Sequence, residues 1–562
     1  MPLCDEVSTT KFEVLLMILH LMLRHEITDV AVKDVLKLIN SIFQEKKVIE
    51  TEYSFRSIFK SKLKPDFHFY CSNCNTYLGE HSNPKEKRCE QNIKCPICNT
   101  DCDISKMNNG HFFITFSITV LDSIAKPLVQ RIKQFNGFYG CNYYNNMLQA
   151  EQTGIEVRGV KGVSPVAVIS EFNLVHGFVL DYMHCVLLGV IRLVTGLWLD
   201  STSHKEKYYI GLKRHEIDNR LLAIRPPSSF PRLPRSLKER SFWKANEWRT
   251  WLLYYSLPCL KNILPLKYYK HHCLLVSAIY TFLRNKISIS DIDNTTWNLV
   301  QYVTEFQKLY GPQNMTFNVH LLLHLGKTVL MFGPLWCYSA FSWESGNGFL
   351  LKFVKGTRGV LTQIARKYTY LQSLSRLLSQ YNIADSTINY CSIIFNYHLQ
   401  KHVTKFANVT LLGKEVEIPL TVEETVALSE EGIHITNICY ERMIKDHVKY
   451  HSRCYAKQGS KTIDHIVKLD DNSYACIERF FVSSLNGQTS IFALLTAIIL
   501  EDTEIVAPYS IGKVSHIKLC SFYMFGSLKI RPVQSIVQKA IMIRCSDTKC
   551  YIAQFPNIFE GD

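Results

Sequence analysis

At 562 residues the chain is too long for one compact core, and about two to four domains are expected. Hydrophobic residues make up 47% and charged residues 20%, which excludes a disordered chain, while the net charge of +15 points to an anionic partner, with a merely solvated basic surface as the plain alternative. The 19 cysteines, an odd number scattered through apolar segments, fit reduced thiols of a cytosolic or nuclear protein and exclude an extracellular disulfide framework.

In chain order, the spacing of apolar residues predicts helices over Lys11–Arg24 and Thr28–Gln44. The apolar run Phe12–Leu23 contains Glu13 and His20 and lacks a small-residue cleavage site, so it reads as half of a helical hairpin and not as a signal peptide. No run reaches about 18 apolar residues without a charge, and a soluble chain that does not span a membrane is expected. Two CxxC pairs follow, Cys71/Cys74 and Cys95/Cys98, about 20 residues apart. Each pair lets two sulfurs converge on one ion, so the four thiolates fit a structural zinc ribbon, and the metal supplies folding energy that a segment poor in apolar residues lacks. Free thiols at this spacing are the alternative.

The β-branched and aromatic run Phe112–Leu121 predicts a strand ending at Asp122, and Ala125–Gln134 a short helix. A Gly/Pro-punctuated loop over 152–176 leads to Asp181-Tyr182-Met183-His184, which opens an apolar helix-periodic run. On a helix Asp181 and His184 share one face, and two polar groups there cost stability unless they are paired or used. The proline-rich stretch Arg225–Arg235 cannot be helix interior. Helical periodicity then dominates, as in Trp248–Leu260, Tyr269–Arg284, Trp297–Leu309 and Thr316–Met331. His320 and His324 have the spacing of a metalloprotease helix, but Leu321 stands where that mechanism needs a glutamate base. Beyond about residue 440, the runs His465–Leu469, Ser473–Phe481, Ser490–Leu500, His516–Cys520 and Lys539–Arg544 are short and β-rich, and predict a small all-β terminal domain.

Several separated segments resemble the CACTA-type (En/Spm-like) cut-and-paste DNA transposases. They are Leu121–Pro127 with Lys133–Cys141, Arg158–Pro165 followed by the Asp181 helix, Leu233–Arg240 with Trp243–Glu247 and Leu257-Pro258, and Phe341–Gly348. The resemblance implies an α+β multidomain protein: N-terminal helices (1–66), the zinc ribbon (67–108), an incomplete RNase H-like core (109–200) with a large all-α insertion (201–335), core-completing helices and linker (336–435), and a small barrel-like all-β domain (436–562). It also implies phosphoryl transfer on DNA, in which two aspartates and a glutamate hold two Mg²⁺ ions, hard cations that prefer oxygen ligands. On this reading Asp122 and Glu344 are catalytic metal ligands, Asp181 and His184 lie on an adjoining helix, and Lys352, Lys355 and Arg358 contact phosphates. Each has a structural alternative: Asp122 could cap the following helix, Glu344 and the basic residues could be solvated surface, and His184 a satisfied core histidine.

The pattern breaks at the first aspartate. That strand, with the two strands and helix after it, needs on the order of 60 residues before the second aspartate. Here Cys98 and Asp122 are 24 positions apart. The expected function is therefore a transposase-derived nuclear protein that binds DNA, the terminal repeats of a transposon, with zinc as structural cofactor and without cutting; a homo-oligomer is compatible with this. The alternatives are a working Mg²⁺-dependent transposase or nuclease whose third carboxylate is Asp101 or Asp103, and a chromatin-interaction scaffold.

Overall fold

The computed structural model describes nearly all of residues 2–42, short stretches between 48 and 162, residues 178–380 without a break, and most of 382–557. The fold mixes helices and sheets, with the large sheet at the C-terminal end. The chain divides into two compact units, one built from Met1–Thr115 and Ser342–Leu399, the other from Phe116–Phe341 and Gln400–Asp562.

In the first unit, helix Lys11–Arg24 begins where Thr10 and Glu13 cap each other. The Thr10 hydroxyl accepts the Glu13 N–H at 3.2 Å, and the Glu13 carboxylate accepts the Thr10 N–H at 2.7 Å. This reciprocal box satisfies amide donors that the first turn leaves without carbonyl partners. The other Glu13 oxygen accepts Ala384 N–H at 2.6 Å, so a buried charge is justified by several donors. The apolar face, including Leu16, Leu19 and Met22, packs with Val32 and Leu36 of helix Asp29–Ile42 and with Tyr370, Leu374 and Leu377 of helix Val360–Gln380. Two antiparallel hairpins follow in this unit, Phe67–Tyr70 with Tyr77–His81 and Asn92–Lys94 with Asp101–Asp103.

The second unit holds the larger core. A parallel pairing of Thr119–Val120 with Phe178–Val179 leads into a helix whose turns from Met183 to Ile191 are π, continuing as α over Arg192–Leu199. Cys185 and Gly189 are small residues one turn apart on it, and helix Phe317–Leu321 approaches there: the Cys185 thiol donates to Asn318 O at 3.5 Å, and a methyl group on Gly189 would lie 2.5 Å from Asn318 Nδ2. The expected helix Trp248–Leu260 is continuous from Ala245 to Leu260 but widens to π over Trp251–Tyr255. Pro258 supplies no N–H to the ladder and its ring crowds the carbonyl one turn back, so the turn before it opens. Helices Leu266–Phe282 and Ile289–Tyr310 complete the helical core around fully buried Trp198, Trp248, Trp251, Tyr302, Phe306 and Tyr310. Each phenylalanine so buried contributes about 1.5–3 kcal/mol relative to leaving it in water. No single described helix is long and apolar enough to cross a membrane.

The C-terminal runs form the expected strands, and their pairing decides their shape. Six described strands follow one another as Tyr474–Leu485, Ile466–Leu469, Ile536–Arg544, Lys549–Gln554, Ile517–Pro532 and Gln488–Leu500, and the last pairs with the first, closing the ring. Closure leaves these six without an open edge, which removes a site of unwanted strand addition. The ring shares a core with the helices: Ile517, Ile541, Ile543 and Ala553 belong to the same apolar cluster as Trp251 and Leu274. Polar ties reinforce that junction, with His516 Nε2 on Leu253 O at 2.9 Å and Asn557 Nδ2 donating to Leu283 O at 2.9 Å.

Candidate functional site

Of the four expected zinc ligands, Cys71 and Cys74 lie outside the described residues, between the strands Phe67–Tyr70 and Tyr77–His81. Cys95 and Cys98 occupy the turn of the second hairpin. Cys95 N–H donates to Thr100 O at 2.9 Å, Asn99 N–H donates to Cys95 O at 3.0 Å, and Asn99 takes a left-handed backbone with φ 54°, which asparagine tolerates better than most residues. Cys95 is fully buried, and Leu78 of the first hairpin and Cys98 pack against it. Cys95 and Cys98 thus sit in a hairpin turn, and the first hairpin reaches Cys95 through Leu78. Among the described residues no group of three or more His, Cys, Asp or Glu could hold a metal, and half of the expected ligand set is not among them.

Asp181 and His184 are brought together as their spacing implies. The Asp181 side chain is 2% exposed and accepts four hydrogen bonds. Its Oδ1 takes Met183 N–H at 3.2 Å and Ala340 N–H at 2.9 Å. Its Oδ2 takes His184 N–H at 3.0 Å and His184 Nδ1 at 2.6 Å. A carboxylate offers about four lone-pair directions, and all of them are occupied. Asp181 therefore caps the Met183 helix through two amides and ties it to Ala340, the first residue of helix Ala340–Leu351. A carboxylate partner requires the His184 proton on Nδ1, which makes Nε2 the acceptor nitrogen of that ring. The helix macrodipole favours an anion at this end as well.

The remaining described candidates lie on separate elements. Asp122 lies outside the described residues. Glu344 is exposed on helix Ala340–Leu351. Asp101 is exposed on the second strand of the cysteine hairpin, opposite Lys94, and Asp103 stands opposite Asn92. Lys352, Lys355 and Arg358 are exposed in the loop that follows Glu344's helix. That loop is held by one side chain that its sequence does not advertise: Gln363 accepts Lys355 N–H at 2.8 Å and donates to Gly356 O and Arg358 O, each at 2.9 Å. His320 and His324 face each other with Nε2 atoms 3.3 Å apart, a histidine pair at the surface of the Phe317 helix.

One charged cluster escapes sequence reasoning. Asp464, 2% exposed, receives Lys539 Nζ at 2.7 Å, Ser228 N–H at 2.8 Å and His451 Nε2 at 3.3 Å. Burial alone would raise its pKa, but the hydrogen bonds from His451, Lys539 and Ser228 and the charge of Lys539 outweigh it and hold the carboxyl well below the usual range. Its partners come from residues 228, 451 and 539, so no local spacing could have found it. The structure thus assembles an acid–imidazole pair at a helix start, a cysteine hairpin, a clamped basic loop and a buried ion-pair cluster. No protein-family model matches this sequence, and none of the curated proteins matches it.

Proposed function

We propose that this chain is a transposase-derived DNA-binding protein that holds DNA without cutting it. The observation that carries the non-cutting half is the spacing of only 24 positions between Cys98 and Asp122, too short for the strand that would bear the first aspartate and the elements that follow it. The DNA-binding half rests on the resemblance of its segments to CACTA-type transposases, on the net charge of +15, and on the clamped loop carrying Lys352, Lys355 and Arg358. Phosphate contacts of this kind fix position on a duplex without reading sequence. An incomplete RNase H-like core, lacking the strand that would bear the first aspartate, belongs to this reading. So does a zinc ribbon in which Cys95 and Cys98 would hold the ion with Cys71 and Cys74, the metal supplying folding energy to the two hairpins. A DNA target places the protein in the nucleus.

Electrophoretic mobility shift of the full chain on transposon terminal-repeat DNA tests the proposal. Binding weakens linearly in log–log terms with salt, and charge reversal at Lys352, Lys355 and Arg358 lowers the slope by about 0.9 for each phosphate contact removed. Absence of binding at low salt overturns the DNA-binding half. Mg²⁺-dependent nicking that Glu344→Ala abolishes overturns the non-cutting half and restores the reading in which Asp101 or Asp103 completes a metal site.

A further inference from the structure

Where the helices meet the closed sheet, a cleft of about 470 Å³ opens, a size within the roughly 300–1,000 Å³ of small-ligand sites. Its chemistry has two halves. One is aromatic: Phe230, Tyr254 and Phe555 form a triangle of rings with centroids 6.0, 5.6 and 5.7 Å apart. These rings come from the proline-rich segment, from the π-widened helix and from the chain's last described strand exit, so the site exists only in the folded unit. The other half is basic. Arg249, Lys449 and Lys539 line the cleft with His447, against one lining carboxylate, Asp446, which is already bonded to Lys445 Nζ at 2.9 Å. Burial lowers the Lys539 pKa, the ion pair with Asp464 that holds it in place works against that shift, and the nearby Lys449 lowers it further.

The rim adds a third observation. Asp446 and His447 form the two-residue turn between strands Arg442–Lys445 and Val448–His451, and both have left-handed backbones, with φ 48° and 64°. A hairpin of this type normally uses Asn-Gly, because side chains resist positive φ. Aspartate and histidine tolerate this region better than most side chains but less easily than glycine, and non-glycine residues held there gather at ligand clamps.

We propose that this cleft binds a nucleotide unit, the base against the Phe230–Tyr254–Phe555 rings and the phosphate on Lys449 and its basic neighbours. Sign decides against the obvious competitor: an aromatic cage for a cationic ligand would not place three cationic side chains in its own wall. A phosphate monoester matches both the charge and the polar geometry, since charge-assisted bonds to lysine and arginine are the strong ones. Each base presents a π-face to any ring, so the site takes bases without reading them. This inference does not depend on the transposase reading, because it uses neither the cysteine hairpin nor the Lys352 loop.

Isothermal titration of the full chain tests it, with adenosine 5′-monophosphate, adenosine, inorganic phosphate and a 5′-phosphorylated oligothymidylate as probes. The monophosphate binds saturably, and adenosine and inorganic phosphate each bind at least about tenfold more weakly, because each engages one half of the site. Lys449→Glu weakens the monophosphate at least about tenfold and Lys449→Arg restores most of the loss. Phe230→Ala, at a half-buried ring, weakens adenosine and the monophosphate alike. Tighter binding of the oligonucleotide than of the monophosphate assigns the site to a strand end, and weaker binding assigns it to a free nucleotide. The proposal is overturned by no saturable monophosphate binding at millimolar concentration, by inorganic phosphate binding as tightly as the monophosphate, or by unchanged binding in Lys449→Glu.

Discussion

Replacing Asp181 by alanine tests whether that carboxylate is a structural clamp. The substitution removes the acceptor of Met183, His184 and Ala340 amides and of the His184 ring. Loss of the helix cap costs about 1 kcal/mol. Leaving the buried Ala340 N–H without its partner costs a further 1–3 kcal/mol, roughly, and the His184 bond adds about 1. The sum is about 3–5 kcal/mol, at the large end for a point substitution, as expected for a side chain only 2% exposed. The unit concerned, Phe116–Phe341 with Gln400–Asp562, has about 390 residues. At about 2.1 cal/mol/K per residue its unfolding entropy is ~0.8 kcal/mol/K, so the melting midpoint falls by about 4–6 °C. Asp181→Asn keeps one acceptor oxygen and falls between the two. Thermal and urea melts of the three proteins measure this. Asp181→Ala within about 0.5 kcal/mol of the parent would refute the clamp. Mg²⁺-dependent nicking by the parent that Asp181→Ala abolishes without changing the melt would return Asp181 to catalysis.

Two further outcomes follow from packing and burial. Gly189→Ala places a methyl group 2.5 Å from Asn318 Nδ2 and 2.7 Å from its Cγ, and costs about 1–3 kcal/mol by overpacking. Asn318→Ala in the same chain recovers most of that loss, whereas additive losses in a double-substitution cycle would deny the contact. His271, His272 and His516 are each about 1% exposed or less, and burial lowers their pKa values to about 4, 3 and 3. Unfolded, each takes a proton near pH 6.5, so the unfolded chain binds more protons below that pH. Their contribution is fully present above pH 6.5 and is lost as pH falls from 6.5 toward 4, about 2 kcal/mol for each histidine by pH 5. Urea melts between pH 7 and 5 read this, and His516→Gln, whose amide can still donate to Leu253 O, shallows the slope. An equal slope in that variant removes His516 from the account.

How much could be read in advance depended on the range of the interaction. Helix Lys11–Arg24 was legible to the residue because its cap, Thr10 and Glu13, and its apolar stripe lie within one short segment. The same holds for the pairing of Asp181 with His184, three positions apart. The strands Ile466–Leu469 and Ile536–Arg544 were legible as strands from their β-branched alternation. Their adjacency was not, since register and partner depend on residues about 70 positions away. The π turns were likewise hidden, although Pro258 gave a cue for the one before it.

The sequence by itself determined the helices and strands, the CxxC pairs, the basic excess and the opening acid–imidazole pair, because propensity, capping and metal-ligand spacing act over a few residues. Tertiary structure alone decided that Asp181 is filled by a fourth donor, Ala340, 159 positions on. It also decided that Lys539 and Asp464 meet under a cleft lined by Phe230 and Phe555. The physical reason is common to these cases. A buried polar group must find partners wherever the fold brings them, and the chain order of those partners carries no local signal.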